Sequence, residues 1–141
     1  MPSHTNMAEI NMKNRIAACT IVSRNYAAYA RTLQEGLKQS NPDIDFYVLV
    51  VDRKDPSFEA TCKLDQMVWV EDMDIPNFCQ MAFKFDILEL NTNVKPFMLT
   101  RLAQSYEYVF YLDPDIYVYG SMQGLVDRLA GATAIVTPHT T

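Results

Sequence analysis

No run in this 141-residue chain approaches the ~18 consecutive apolar residues that span a bilayer, and the opening MPSHTNMAEINMKN has no apolar core of the kind a secretory leader needs. The chain is therefore expected in the cytoplasm. Basic residues are few: 12 Lys and Arg stand against 17 Asp and Glu, a net charge of −5, so no basic face is available to neutralise a phosphate backbone. Nucleic acid is not an expected partner. Cysteine is scarcer still. Cys19, Cys62 and Cys79 are odd in number, lack C-x-x-C spacing and have no histidine nearby, which argues against a disulfide framework and against a zinc site. They read as buried thiols. Repeats, low-complexity tracts and linkers are also missing. What remains is one domain or part of one, 49% apolar, with enough material to bury a core.

The material present alternates strand with helix. IAACTIV (16–22) is a continuous apolar run of strand length, followed by YAAYARTLQEGLKQ with Tyr26, Ala30, Leu33 and Leu37 at helical spacing. SNPD punctuates, FYVLVV (46–51) is a second buried strand that delivers Asp52, and MVWV (67–70) is a short third. Pro76-Asn77 opens a helix with Phe78, Met81, Phe85 and Leu88 on one face, and Thr92 with Pro96 begins another that runs to about Ser105. YVFYL (108–112) is the next strand, Ser121 is offered as N-cap to a short helix, and ATAIV (132–136) is expected as a last strand. Residues 1–14 are expected as a flexible tail. Strands that are apolar on both faces and joined by helices specify an α/β fold, a three-layer α/β/α sandwich with a mostly parallel sheet.

Such a sheet binds ligands at the carboxyl ends of its strands, where the strand order reverses. Polar residues gather there. The first strand exits into Ser23-Arg24-Asn25-Tyr26, the second into Asp52, and YVFYL into Asp113-Pro114-Asp115. Residues i and i+2 of an extended chain share a face about 6–7 Å apart, so both carboxylates reach one cation. Hard oxygen ligands on a loop suit Mg²⁺ or Mn²⁺ shared with phosphate oxygens. A solvated Asp-Pro-Asp turn that merely stops a strand is the competing reading.

FYLDPDIYV resembles the D-x-D motif of nucleotide-sugar-dependent glycosyltransferases of the GT-A fold. NYAAYARTLQEGLKQSNPDIDFYVLVVD is similar to the opening βαβ unit of family 8 of these enzymes, and KPFMLTRLAQSYEYVFYLDPD to the helix that precedes their metal motif. The resemblance implies a Rossmann-like nucleotide-sugar-binding portion over residues 15–141. It implies that Asp113 and Asp115 hold Mn²⁺ or Mg²⁺, that Tyr26 stacks on the nucleotide base and that Asn25 reaches the ribose. Both of the last two are also consistent with a helix N-terminus, Asn25 capping and Tyr26 packing. Ser23 stands where several family members have an aspartate that reads the base, which leaves the base open. Asp52 faces either the nucleotide or its own loop. Lys95 matches the family's basic residue at the sugar or diphosphate, with Arg101 a weaker candidate, and the competing role of Lys95 is to lie along its helix.

The implied chemistry is transfer of sugar from a nucleoside diphosphate sugar, a UDP-sugar in the first instance, to a saccharide, lipid-linked or protein acceptor. The resemblance places acceptor elements and a late histidine well beyond the D-x-D, and His139 comes too early to match it. The chain thus reads as the donor-binding half, with its uncovered sheet edge open to self-association. A non-catalytic nucleotide-sugar-binding or interaction module of the same fold is the alternative. DPDIYV also resembles the nucleophile motif of haloacid dehalogenase-type phosphatases, but Tyr117 stands where that motif has Thr or Val, and several strands precede it.

Overall fold

The computed structural model describes residues 16–129 and 131–138. The expected tail at 1–14 and His139 lie outside the described residues. Among these residues, four strands form one parallel sheet: β1 (Ile16–Val22), β2 (Asp45–Val50), β3 (Gln66–Trp69) and β4 (Tyr108–Tyr111), in the order β3-β2-β1-β4. The helices are α1 (Ala27–Ser40), α2 (Pro56–Thr61), α3 (Phe78–Lys84), α4 (Ile87–Ala103) and α5 (Gln123–Arg128), with 3-10 turns at Arg24–Tyr26 and Val70–Met73.

β1 is the central strand, and its composition follows from that place. Ala17 pairs with Asp45 on one side and Val109 on the other, and Cys19 with Tyr47 and Tyr111. Because side chains alternate across a strand, Ala17, Cys19 and Ile21 face one layer and Ala18 and Val22 the other. The first set packs with Leu90, Val94, Met98 and Leu102 of α4. The second packs with Ala30, Leu33 and Leu37 of α1, together with Phe46, Val48 and Trp69. The sheet therefore has a helix layer on each face, as the apolar runs require.

Four details depart from expectation. α3 ends at Lys84, and Asp86 caps α4: its carboxylate accepts the Glu89 N–H at 2.9 Å while Glu89 accepts the Asp86 N–H at 3.2 Å. This capping box satisfies the first-turn amides well upstream of Thr92. Leu88 consequently belongs to α4 and is 74% exposed, and Pro96 lies inside that helix. Residues 132–136 do not form a strand, having no ladder partner among the described residues, and Val136 stands in solvent. Ser121 is one position short of the cap of α5, although its hydroxyl accepts the Gln123 N–H at 3.2 Å. Cys19 and Cys62 are buried thiols, but Cys79 is exposed, because the short α3 turns it outward.

Candidate functional site

Strand order fixes where the crevice lies. From β1 the chain moves to β2 and β3 on one side, then returns through α4 to place β4 on the other side of β1. The order reverses at β1, so the switch point is the gap between the carboxyl ends of β1 and β4. The Ser23–Tyr26 turn leaves one wall of that gap and Asp113-Pro114-Asp115 leaves the other. Leu112 extends the pairing by one residue, its N–H donating to the Cys19 carbonyl at 2.9 Å.

Ser23 is buried at the end of β1, and its hydroxyl donates to the Asn25 carboxamide oxygen. Asn25 is thus oriented by a side chain two residues back, and no side-chain cap is made to the helix that follows. Tyr26 is 49% exposed, its ring stacked on Tyr29 at 5.4 Å. One face of an aromatic ring is covered and the rest is open to a ligand. Asp52 does not stand free. It accepts the Arg24 backbone N–H at 3.1 Å and lies 3.6 Å from the guanidinium Nε, whose Nη1 also donates to Asp55 at 3.0 Å. Arg24 therefore ties the loop after β1 to the loop after β2. Asp55 in turn caps α2, and the hydroxyl of Ser57 together with the backbone N–H groups of Phe58 and Ser57 holds its carboxyl below the usual range. The clamp was not legible in the sequence, because nothing local pairs position 24 with positions 52 and 55.

Asp113 and Asp115 are both exposed, in a turn closed by the Ile116 N–H donating to the Asp113 carbonyl at 3.3 Å. Behind them, Lys95 on α4 places its ammonium 3.8 Å over the ring of Tyr111, the last residue of β4. Tyr111 is half-buried, and its burial, followed by the adjacent Asp113 carboxylate, pushes the phenol up. Lys95, Tyr111 and Asp113 thus form one run of contacts leading to the D-x-D. Arg101 does not join it: its guanidinium turns toward the Asp72 carbonyl, 3.4 Å away beyond β3.

Among the described residues, no three acidic, histidine or cysteine side chains group to hold a metal. Two carboxylates fit a hard divalent cation only if ligand oxygens or water complete its shell, the way Mg²⁺ is commonly bound beside phosphates. Beside the motif, a cleft of about 350 Å³ separates Tyr29 and Thr32 of α1 from Asp115, Ile116 and Tyr117. The segment beyond it runs along α1. Tyr117 rests against Gly36, and Asn41 receives the Met122 N–H at 2.8 Å while donating to the Gly120 carbonyl at 3.0 Å.

The same architecture occurs in solved structures of LgtC. One, an active-site mutant, matches over 79% of this chain and 41% of its own length, with a TM-score of 0.52 at 22% identity. Another, the galactosyltransferase LgtC in complex with donor and acceptor sugar analogs, matches over 79% and 42% with the same score and identity. The fold is GT-A. At this identity the likeness is one of fold, and the chain spans about two fifths of the LgtC length. No protein-family model matches the sequence, and neither does any curated protein. In the GT-A frame the Asp113 pair and the Ser23–Tyr26 turn occupy the two sides of the strand-order switch. No helix among the described residues is long and apolar enough to cross a membrane.

Proposed function

We propose that this chain binds a nucleoside diphosphate sugar, with UDP as the nucleotide, as the donor-binding part of a metal-dependent glycosyltransferase. The observation that carries the reading is the placement of Asp113 and Asp115 across the switch point from an exposed, stacked Tyr26, in a GT-A fold. Tyr26 offers a ring face to the base and Asn25, oriented by Ser23, offers its amide to the ribose. The Lys95 ammonium, fixed over Tyr111, supplies positive charge behind the carboxylates for the diphosphate. Asp52 acts through Arg24, holding the base-side turn in place.

Asp113 and Asp115 would hold Mn²⁺ or Mg²⁺, which supplies neutralisation of the charge that develops on the departing diphosphate. The chain's own contribution is to fix the donor by base, ribose and phosphates before transfer to a saccharide, lipid-linked or protein acceptor, in the cytoplasm. Calorimetry tests the reading: UDP affinity should rise at least tenfold with Mn²⁺, and Asp115→Asn should abolish that gain. UDP binding that ignores both Mn²⁺ and the substitution would sink it. Incubation with UDP-glucose or UDP-galactose, Mn²⁺ and a panel of acceptors separates an enzyme from a binding module. Glycosylated product by mass spectrometry would reject the module, whereas metal-dependent binding without product is the outcome expected of a donor-binding part.

A further inference from the structure

One surface that takes no part in the donor reading carries both halves of a fit. α3 ends in Phe83-Lys84, and Phe83 is 96% exposed, an aromatic ring standing almost wholly in water. Just after it in the chain, Phe85 joins Leu88, Glu89, Thr92 and Asn93 of the first two turns of α4 around an open hollow of about 320 Å³. The buried row of that helix, Leu90, Val94, Met98 and Leu102, packs on the sheet, whereas Leu88, Glu89, Thr92 and Asn93 are exposed. The hollow therefore opens on the solvent flank of α4. A bare aromatic knob beside an apolar hollow is surface whose removal from water favours association.

The same face carries one charge of each sign. The Lys84 ammonium stands 5.6 Å from the centre of the Phe85 ring, within cation–π range, and so borders the hollow that Phe85 lines. Glu89 lines it too, and its carboxylate stays ionised while accepting the Asp86 N–H of the capping box. Knob and hollow, cation and anion lie within seven residues of chain.

We propose that this face binds a second copy of the chain as a two-fold pair, Phe83 of each copy entering the hollow of the other and Lys84 of each facing the other's Glu89. In a two-fold interface one patch meets itself, so that residue i contacts j while j contacts i, and the patch must hold both complements. A foreign partner makes no such demand. Each copy carries a net charge of −5, but at physiological salt charges more than about 8 Å apart are largely screened, which leaves the local Lys84 and Glu89 pairs to decide the contact. Two inserted aromatic rings bury roughly 150–250 Å² each, short of the ~800 Å² per partner of a standard interface. The pair is accordingly a reversible one, formed as concentration rises.

Sedimentation velocity of the full chain from about 1 to 200 µM tests this, with a monomer passing to a dimer as the expected result. Phe83→Asp should raise the dimer Kd at least tenfold. Lys84→Glu and Glu89→Lys should each weaken the dimer, because each sets like charges opposite one another, while an equimolar mixture of the two should pair as well as wild type. Thermal melts confirm that each variant is folded, and if loss of the capping box unfolds Glu89→Lys, the Phe83→Asp series still decides. A chain that stays monomeric throughout would overturn the proposal. So would a dimer indifferent to Phe83→Asp, which would put self-association at another face such as a sheet edge, and so would growth past the dimer, which a closed two-fold pair forbids. Failure of two folded charge variants to recover on mixing would likewise rule out the reciprocal pairing.

Discussion

At Tyr26 the backbone and the side chain serve different ends. The main chain makes the 3-10 turn that feeds α1, while half of the side chain remains in solvent with its ring on Tyr29. Truncation should therefore cost little stability, within about 0.5 kcal/mol as for most surface changes. Loss of base stacking should cost on the order of 1–3 kcal/mol of UDP affinity. Tyr26→Ala is thus expected to bind UDP about tenfold or more weakly with an unchanged melting curve, and a lowered melting temperature with unchanged affinity would make Tyr26 a packing residue. The exposure that separates these outcomes was out of reach of the sequence. Tyr26 falls on the same helical spacing as Ala30, Leu33 and Leu37, all of which are buried. A period places a residue on a face, but the 3-10 turn before α1 rotates Tyr26 off it. The place of Asp113 and Asp115 just past the end of β4 was legible because an i, i+2 carboxylate pair after an apolar run is local. Arg24 was not, since its partners lie on another loop.

At the scale of elements, α1 is shaped by what crosses it. A Cβ at Gly36 would lie 2.8 Å from the Tyr117 ring, inside contact distance, so glycine at that position lets the segment after the D-x-D lie against the helix. Gly36→Ala gains up to about 1 kcal/mol in helix propensity and must displace the ring. Overall stability should therefore change by less than about 1 kcal/mol, while Mn²⁺-dependent UDP affinity drops several-fold as the Asp115 turn shifts. Paired calorimetry and denaturant melts check this, and undiminished affinity would show that the crossing segment does not position the motif. Asn41→Ala strips partners from the Met122 N–H and the Gly120 carbonyl and should cost about 1–3 kcal/mol in a urea melt. The same scale shows where propensity misled. Pro96 drew the expected helix start toward itself, yet the Asp86–Glu89 capping box, also present in the sequence, decided it. Proline inside a helix is costly, but Val94 and Met98 on either side of it are fully buried, and their packing outweighs the lost bond.

For the whole molecule, the sandwich was legible because a parallel sheet buries both faces of its strands, which leaves unbroken apolar runs in the sequence. The order of those strands, and so the pairing of β4 with β1, was not, because side-chain pattern carries no record of which neighbour a strand takes. Nor was the fate of 132–136, an apolar run without a ladder. Burial also has a chemical signature. Cys19 lies in the core, and loss of solvent, opposed only in part by Lys95, pushes its thiol up to about 12 from 9.0. A raised folded-state value favours the native chain fully below about pH 9 and loses that contribution as pH climbs toward 12. Alkaline melts should show falling stability across that window. At neutral pH a thiol reagent should modify Cys79 in the native chain and reach Cys19 and Cys62 only on unfolding; rapid labelling of Cys19 would contradict its burial.

The Asp113 turn hangs from a strand of four residues whose ladder partner among the described residues is β1, at the other end of the described chain. Within the described sheet the Asp113 turn is thus held through a short ladder to β1. In the exchange of backbone amides with heavy water, β4 should open by local fluctuation ahead of β1 and β2. Mn²⁺ with UDP, by binding only the closed form, should slow β4 far more than the strands already buried between neighbours. Ligand would then complete the fold at this edge, so that occupancy of the site is read out as protection of a strand the ligand never touches along most of its length.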